Sequence, residues 1–537
     1  MSFRLSHRFS IAASDEPIAP TPHGIQAAAR YYRARDYDQT ERCCLELIEH
    51  DERHFDALHL LGVVCLDRSQ LADAIGYLRR AARERDDDAS VHYHLGTALL
   101  GLKLYDEAEP PLRRSLALRP GDLGALNNLG NVLAGSNKNA AAIECYRQVL
   151  AIRPDHVPAR YNMARSLAAL DRLEEAVADF RTALADAPTG TDAGRVADIH
   201  ASLGEALVAL GRYDEAQATC RQMSGLRPEV ADWNESLVLL LRGRFAEGWR
   251  KYEGRWHVAD HDPPHKDARV PDLTEITGKR VLIVSEQGHG DMIQFARYAP
   301  LLARHGARIC LQTYVELKAL MQTLEGVETV IAVEEQTPPV DIVTPLLSLP
   351  LVFGTELDSI PADVPYLHAP PARLAAWRQR LGPRKTPRIG LAWWGSQHIP
   401  KRSLSIEALL PVLSLDGIEV HSLQKDLPPA QRDWLTARPM PIDHSADLRD
   451  FADTAALMSL LDLVVTIDTS VAHLAGALGK PVWIMLQYSA DWRWLLDRND
   501  SPWYPTARLF RQQQRGDWDS VVADVAQALS ATADMRR

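Results

Sequence analysis

Residues 463–482 read Leu463-Val-Val-Thr-Ile-Asp468-Thr-Ser-Val-Ala-His473-Leu-Ala-Gly-Ala-Leu-Gly-Lys-Pro-Val482. The run 463–467 is apolar and largely β-branched, which marks a strand buried on both faces. Asp468, Thr469 and Ser470 form a polar turn able to cap a helix. The small residues after it let a helix lie close on a sheet, and Gly479-Lys480-Pro481 stops it. A buried strand tip that passes into a helix N-terminus belongs to a parallel sheet and is a natural seat for a phosphate group.

Similar runs lie on both sides. Strands are predicted at 279–285, 308–312, 329–333 and 341–345, and again at 388–393, 420–423, 463–467 and 482–485, with helical stretches between them. Such alternation builds parallel sheets. A proline-rich segment near 361–371 separates the two series. The expectation is therefore two doubly wound, Rossmann-like lobes, 272–370 and 371–530. Ligands of such lobes sit at the C-terminal ends of the strands, in the cleft between them.

The first half of the chain is periodic instead. Leu61-Gly62 recurs as Leu95-Gly96, Leu129-Gly130 and, weakened, Met163-Ala164, each 34 residues on; Leu203-Gly204 comes after 40, which places a six-residue insertion near 189–197. Twelve positions after each of these small residues stand Ala74, Ala108, Ala142, Ala176 and Ala216, and Pro120, Pro154, Pro188 and Pro228 separate the units. Residues 21–54 read as a degenerate first copy, with Thr40 in the alanine position. Period and pattern resemble the tetratricopeptide repeat, which predicts an α-solenoid of helix pairs over 21–257, about six repeats and a capping pair. The phasing points Asp56, His59, Tyr93, Asn127, Asn131, Tyr161 and Glu205 into the groove. His59, Tyr93, Asn127, Asn131 and Tyr161 are the candidates for docking a protein. Trp249, Tyr252 and Trp256 fall on one helical face, as in a cap that binds the array to the next domain. Residues 257–271 read as a linker, and the first 20 residues as a loose tail.

Composition excludes several classes. With 537 residues the chain needs more than one core. A formal charge of −11 argues against a nucleic-acid binder. Cys43, Cys44, Cys65, Cys145, Cys220 and Cys310 are scattered, with no CxxC spacing, so they read as reduced thiols of a cytoplasmic protein. There is no signal-peptide core and no run near the ~20 apolar residues of a membrane span.

The motifs of the second half carry a resemblance. Gly288-His-Gly-Asp-Met-Ile and Asp468-Thr-Ser-Val-Ala-His-Leu-Ala-Gly-Ala-Leu-Gly, in their setting, resemble the GT-B glycosyltransferases of the bacterial heptosyltransferase family over about 275–525. Repeats fused to such a domain are similar to the bacterial tetratricopeptide-repeat glycosyltransferases, some of which modify flagellin with nonulosonic acids. The segments 249–256 and 491–498 are similar to that subgroup too.

Asp291 is the candidate catalytic base. It lies after a strand and turn, and it matches the family's aspartate; an aspartate there would equally suit the first turn of a helix. Gly288 and Gly290 would let backbone approach a ligand, or simply form the turn. Thr469 and Ser470 suit a diphosphate, Asp468 a sugar hydroxyl, and His473 points at the same spot; a capping Asp468 and a structural histidine are the plainer alternative. After the strand at 388–393, Lys401 and Arg402 offer charge to a phosphate and Ser403 a hydroxyl. The family's phosphate-binding basic residue lies in this loop, and either Lys401 or Arg402 fits. Gln424 and Lys425 could reach the nucleotide, and Gln487, Asp491 and Trp492 could close the sugar pocket.

No Asp-x-Asp metal signature is read at a strand end, so no metal and no cofactor is expected; the nucleotide sugar is a co-substrate. By the resemblance, transfer is inverting. The expected function is protein O-glycosylation: a flagellin-like acceptor docks on the repeats and a Ser or Thr receives the sugar. A nucleotide-sugar epimerase or hydrolase, a heptosyltransferase-like enzyme with a glycan acceptor, and a repeat adaptor with a silent second half are the alternatives.

Overall fold

The computed structural model describes residues 24–258, 265–395, 402–438 and 440–534. The tail 1–20, part of the linker and Lys401 lie outside the described residues. The chain divides into two compact units, Met1–Leu210 and Gly211–Arg537.

The first unit is the helical solenoid that the 34-residue period predicts. Its helix pairs are Ile25–Arg33 with Tyr37–His50, Phe55–Asp67 with Leu71–Glu84, Ala89–Gly101 with Tyr105–Leu118, Leu123–Gly135 with Asn139–Ile152, and Val157–Ala169 with Leu173–Ala185; the helix Ala193–Ala209 comes next. Three of the repeated glycines, Gly62, Gly96 and Gly130, are forced by close packing, whereas a Cβ on Gly204 would meet nothing within 4 Å. A Cβ on Gly62 would stand 2.4 Å from Leu78 Cγ, and one on Gly130 2.5 Å from Tyr146 Cε1, distances that side chains do not tolerate. Ala74, Ala108, Ala142 and Ala176 are fully buried at the crossings, and so is Thr40. Thr40 fits because its hydroxyl donates to the Asp36 carbonyl at 2.8 Å, so no polar group is left unpaired. The insertion near 189–197 lengthens a helix: Ala193–Ala209 has 17 residues where the preceding first helix, Val157–Ala169, has 13. Each hairpin turns through a left-handed residue at the same phase, Arg35, Ser69, Lys103, Asn137 and Asp171. None is glycine, and residues as different as Arg35, Ser69, Lys103, Asn137 and Asp171 fill it, so this part of the period leaves no single residue type to follow in the sequence.

The second unit begins with the helices Tyr213–Met223, Pro228–Leu241 and Phe245–Tyr252, which lead into the 3-10 turn Glu253–His257. Among the described residues nine strands come after it: β1 Arg280–Val284, β2 Arg308–Thr313, β3 Val327–Ala332, β4 Ile342–Pro345, β5 Arg388–Ala392, β6 Glu419–Ser422, β7 Leu463–Ile467, β8 Val482–Leu486 and β9 Ala507–Arg511. They form two parallel sheets, ordered β3-β2-β1-β4 and β6-β5-β7-β8-β9. All five residues of β7 are buried. It lies between β5 and β8, with Val465 level with Leu391 and Trp483. β9 has no counterpart among the predicted strands. Its sequence, Ala-Arg-Leu-Phe-Arg, is short and carries two charges, as an edge strand tolerates.

One aromatic face reads differently in space. Trp249 and Tyr252 are buried, and Trp249 packs edge-on against Trp492 at 5.3 Å and Phe295 at 6.2 Å. Trp256 does not join them. The helix ends at Tyr252, the chain tightens into the 3-10 turn, and Arg255 takes the fully buried place while Trp256 covers its guanidinium at 4.1 Å.

Candidate functional site

In doubly wound sheets the order of strands reverses beside the first strand of each series, and the loops leaving that point have no neighbouring crossover to cover them. Here the reversal lies between β1 and β4 in one sheet and between β5 and β7 in the other. The loop after β1 carries Gly288 to Asp291, the segment after β5 carries Gly395, Arg402 and Ser403, and that after β7 carries Asp468 to His473. The main candidates therefore leave the sheets at the two reversal points.

These loops meet. The helix His289–Phe295 crosses the helix Ser470–Ala477 so closely that a Cβ on Gly290 would lie 2.9 Å from His473 Cδ2 and 3.6 Å from the Ser470 Cα. Gly290 is needed for this contact between lobes. Asp291 stands in the first turn of its helix, where its Oδ2 accepts from the Gly288 N–H at 2.9 Å. Its Oδ1 takes a hydrogen bond from Arg493 Nη2 of the other lobe. Arg493 is 8% exposed in its side chain; it also donates to Gln294 Oε1 at 2.9 Å and Asp491 Oδ1 at 2.8 Å, and its guanidinium covers the Trp492 ring at 4.3 Å. The candidate base is thus held by a backbone N–H on one oxygen and a guanidinium on the other.

Thr469, not Asp468, caps the helix, accepting from Val471 N at 3.3 Å. At Asp468 burial, then the negative charge of Asp491, push the pKa up to about 6, against the pull of Arg402, the Trp494 indole and Arg493. His473 is a buried structural histidine: its Nδ1 meets the Tyr504 hydroxyl at 3.0 Å and its ring stacks on Trp494 at 5.4 Å. Burial above all, then Arg493, Arg297 and Arg402, keeps the imidazole neutral, far below its ordinary value. Arg402 lies over Gly395 and near Thr469: a Cβ on Gly395 would stand 3.0 Å from Arg402 Nε and 3.3 Å from Thr469 Cγ2. The Arg402 Nε is enclosed and finds no partner among the described residues, and nor does the buried Nε2 of Gln294. Orphaned buried donors ask for an explanation, and a bound acceptor-rich ligand is one.

Other candidates are absorbed by the fold. Ser403 Oγ accepts from Gly395 N at 3.0 Å and pins its loop. Gln424 Oε1 accepts from Trp393 N and Trp394 N, both at 2.8 Å, which satisfies the end of β5. Lys425 Nζ donates to the Arg449 carbonyl at 2.8 Å. Gln487 Nε2 donates to the Ser489 carbonyl at 2.9 Å. Lys401 lies outside the described residues. Among the described residues no three His, Cys, Asp or Glu side chains gather as a metal site would require. The six cysteines are free and buried.

In the solenoid, the five docking candidates divide. His59 and Tyr93 are buried, and so is His94. His59 Nε2 shares a 2.8 Å hydrogen bond with His94 Nδ1, and Tyr93 packs on His94 at 5.2 Å. His59 ties its repeat to the next, Tyr93 lies against the following repeat, where a Cβ on Gly124 would stand 3.1 Å from its hydroxyl, and both leave little surface for a partner. Asn131 and Tyr161 are half-buried rungs of the same ladder: Asn131 Oδ1 accepts from Asn162 Nδ2 and the Tyr146 hydroxyl, both at 2.8 Å, and the Tyr161 and Ser202 hydroxyls lie 3.3 Å apart. Asn127 Oδ1 is enclosed without a partner among the described residues.

Asp468 makes stability depend on pH. Its carboxyl is raised in the folded chain, so the folded state holds a proton that the unfolded state, titrating near 4, has released. The contribution is fully present below about pH 4 and lost as pH rises through about 6. Asp468→Asn should remove that dependence and stabilise the chain at pH 7 by about 1–3 kcal/mol. Urea denaturation of both proteins from pH 4 to 8 checks it; equal slopes with pH would contradict it.

Comparisons with known proteins identify the repeats of the first half. Residues 25–89, 66–122, 129–199 and 197–229 match tetratricopeptide-repeat families. Protein FlbA of Caulobacter vibrioides is 29% identical over 363 residues, which cover 60% of this chain and 59% of FlbA. The chain thus spans about three-fifths of that relative's length. The aligned share is more than the residues before His257 amount to, so the likeness extends beyond the helices. Among solved structures, PilW, a type IV pilus biogenesis factor, is 22% identical over 38% of this chain and 92% of its own, with a TM-score of 0.34. YrrB, described as a tetratricopeptide-repeat protein with an unusual peptide-binding site, is 23% identical over 31% of this chain and 86% of its own, with a TM-score of 0.30. The repeat matches and the two observed sheets together define the class, a tetratricopeptide solenoid and an α/β domain of parallel sheets.

Proposed function

We propose that the chain is a glycosyltransferase: the α/β unit moves a sugar from a nucleotide-sugar donor to a Ser or Thr hydroxyl of a protein held by the repeats. The observation that carries this reading is the meeting of the two reversal-point loops. An acid–base group, Asp291, faces a lobe whose own loops bring an enclosed Arg402 Nε, without a partner among the described residues, and the N-terminus of Ser470–Ala477 together. That is the pairing glycosyl transfer calls for, a base for the acceptor and fixed positive charge for the leaving phosphate.

The step balances simply. Asp291 takes the proton of the acceptor hydroxyl, and the oxygen bonds to the anomeric carbon. The bond from that carbon to the phosphate oxygen breaks, and its electron pair leaves with the nucleotide. Arg402 and the helix N–H groups offset the new charge. For Asp291 to accept the proton, its Arg493 partner must give way, and an incoming anionic donor is suited to attract that guanidinium. Inversion at the anomeric carbon, the cytoplasm as compartment and a flagellin-like acceptor belong to this proposal through the family resemblance. A repeat adaptor without catalysis is the second reading, favoured by the full engagement of both Asp291 oxygens.

Calorimetric titration with CMP, UDP, GDP and ADP tests the donor half. One of them should bind, and Arg402→Gln should weaken it about tenfold or more, the worth of a hydrogen bond to a charged group. Failure of all four to bind, or equal binding by the variant, overturns the assignment.

A further inference from the structure

The geometry points to the helical segment that precedes β1, 228–257, as a working wall of this site, with Tyr252 and Arg255 as positioning residues for the turn that carries Asp291. The inference rests on the proposed function only for what Asp291 does; the bracing itself is independent of it.

The turn after β1 needs outside support. Gln287 sits at φ +59°, the left-handed region that a glutamine adopts only when its surroundings hold it there. Its side-chain Nε2 donates to the Tyr252 hydroxyl at 3.1 Å, and its carbonyl accepts from the Tyr314 hydroxyl. One residue earlier, the buried Glu286 receives two hydrogen bonds from Arg255, Nε at 2.9 Å and Nη2 at 3.1 Å, and a third from Leu347 N at 2.7 Å. Arg255 is itself pinned by the Tyr252 carbonyl at 3.1 Å, Glu253 at 2.7 Å and the Ser348 hydroxyl at 2.8 Å. Two consecutive residues of the turn are therefore gripped by two residues of the helical segment, just ahead of the base.

The same segment reaches the other half of the site. Tyr252 packs on Trp492 at 6.2 Å and Trp249 packs on it at 5.3 Å, beside the Arg493 that holds Asp291. The 3-10 turn that delivers Arg255 folds back on the helix Pro228–Leu241 with no room to spare: a Cβ on Gly254 would stand 2.5 Å from the Glu229 carbonyl oxygen. One segment, two helices and a 3-10 turn, thus holds Asp291 through its turn and the guanidinium partner through its aromatic neighbour. Such support sets a reacting group's position without touching substrate. It also makes the α/β lobes incomplete as a site without residues 228–257.

Hydrogen exchange of the full chain tests this. Tyr252→Phe deletes one hydrogen bond and keeps the ring. It should speed exchange of amides in 286–292 about fivefold, the worth of a buried neutral hydrogen bond. Exchange in β5 and β7 should stay within about twofold. Arg255→Met should act more strongly than Arg255→Lys, which restores the charge without the fork. In a transfer assay Tyr252→Phe should lower kcat with little change in donor KM. Unchanged exchange at 286–292, or equal acceleration throughout the unit, overturns the inference and leaves these residues as ordinary core. If the local change occurs while the wild type transfers no sugar, the bracing stands and the transferase reading falls.

Discussion

Asp291→Asn is expected to leave the chain folded and to lower sugar transfer by about 10²- to 10⁴-fold, the usual worth of a positioned general base. The substitution separates two jobs that one carboxylate performs. Oδ2 accepts from the Gly288 N–H, which an amide oxygen still does, so the helix His289–Phe295 keeps its start. Oδ1 is paired with Arg493 and is the oxygen that must be freed to take a proton. Asparagine cannot take one. Donor affinity should change little, because the donor-facing groups lie on the other lobe. The loss should therefore appear in kcat. Turnover within about threefold of wild type would reduce Asp291 to a helix cap and return the chain to the adaptor reading.

Arg493→Met is expected to cost about 2–4 kcal/mol of stability, measured as the denaturation free energy of the second unit. Removing one partner of a buried ion pair ordinarily costs about 3–5 kcal/mol, because the other charge stays behind unpaired. Arg493 has three partners, Asp291, Asp491 and Gln294. The figure is lowered because the side chain of Asp491 is 37% exposed and that of Asp291 19%, so water recovers part of the loss. Arg493→Lys keeps a charge but cannot reach all three acceptors at once, and should fall between. A change under about 1 kcal/mol for Arg493→Met, the scale of an exposed pair, would mean that the lobes are held by their aromatic packing alone.

Much of the fold is legible in the sequence because it repeats or alternates. The strand 463–467 and the repeat spacing are both present in the structure, since burial on both faces and close helix crossings each leave a periodic mark. The edge strand β9 escapes a sequence reading because arginines at 508 and 511 break its apolar run. The docking residues on the first helices rest on phase alone. First helices pack on neighbours at both sides, so His59 and Tyr93 are consumed between repeats. The buried arginines are hidden for a different reason. Arg255, Arg297 and Arg493 are polar letters that each have a partner far along the chain, Glu286, the Trp503 carbonyl and Asp291, at separations of 31, 206 and 202 residues, and no local pattern announces such pairs. The one available signal is the aromatic setting: Arg255 precedes Trp256, and Arg493 lies between Trp492 and Trp494. A guanidinium among rings is stacked and hard to hydrate, which favours burial.

Asp468 joins the two levels. As a sequence letter it is a helix cap or a ligand group. In space the cap is Thr469, and Asp468 stands half-buried near a second carboxylate, an arrangement that stores unfavourable charge. Proteins keep such arrangements where a ligand rewards them.

The most direct measurement is the intact mass of a candidate acceptor protein after incubation with the full chain and a nucleotide sugar. A transferase working through Asp291 gives a discrete added mass equal to one sugar residue, carried on Ser or Thr, present with wild type and absent with Asp291→Asn. An acceptor that stays unmodified while bound to the chain, or one modified equally by both proteins, would contradict it.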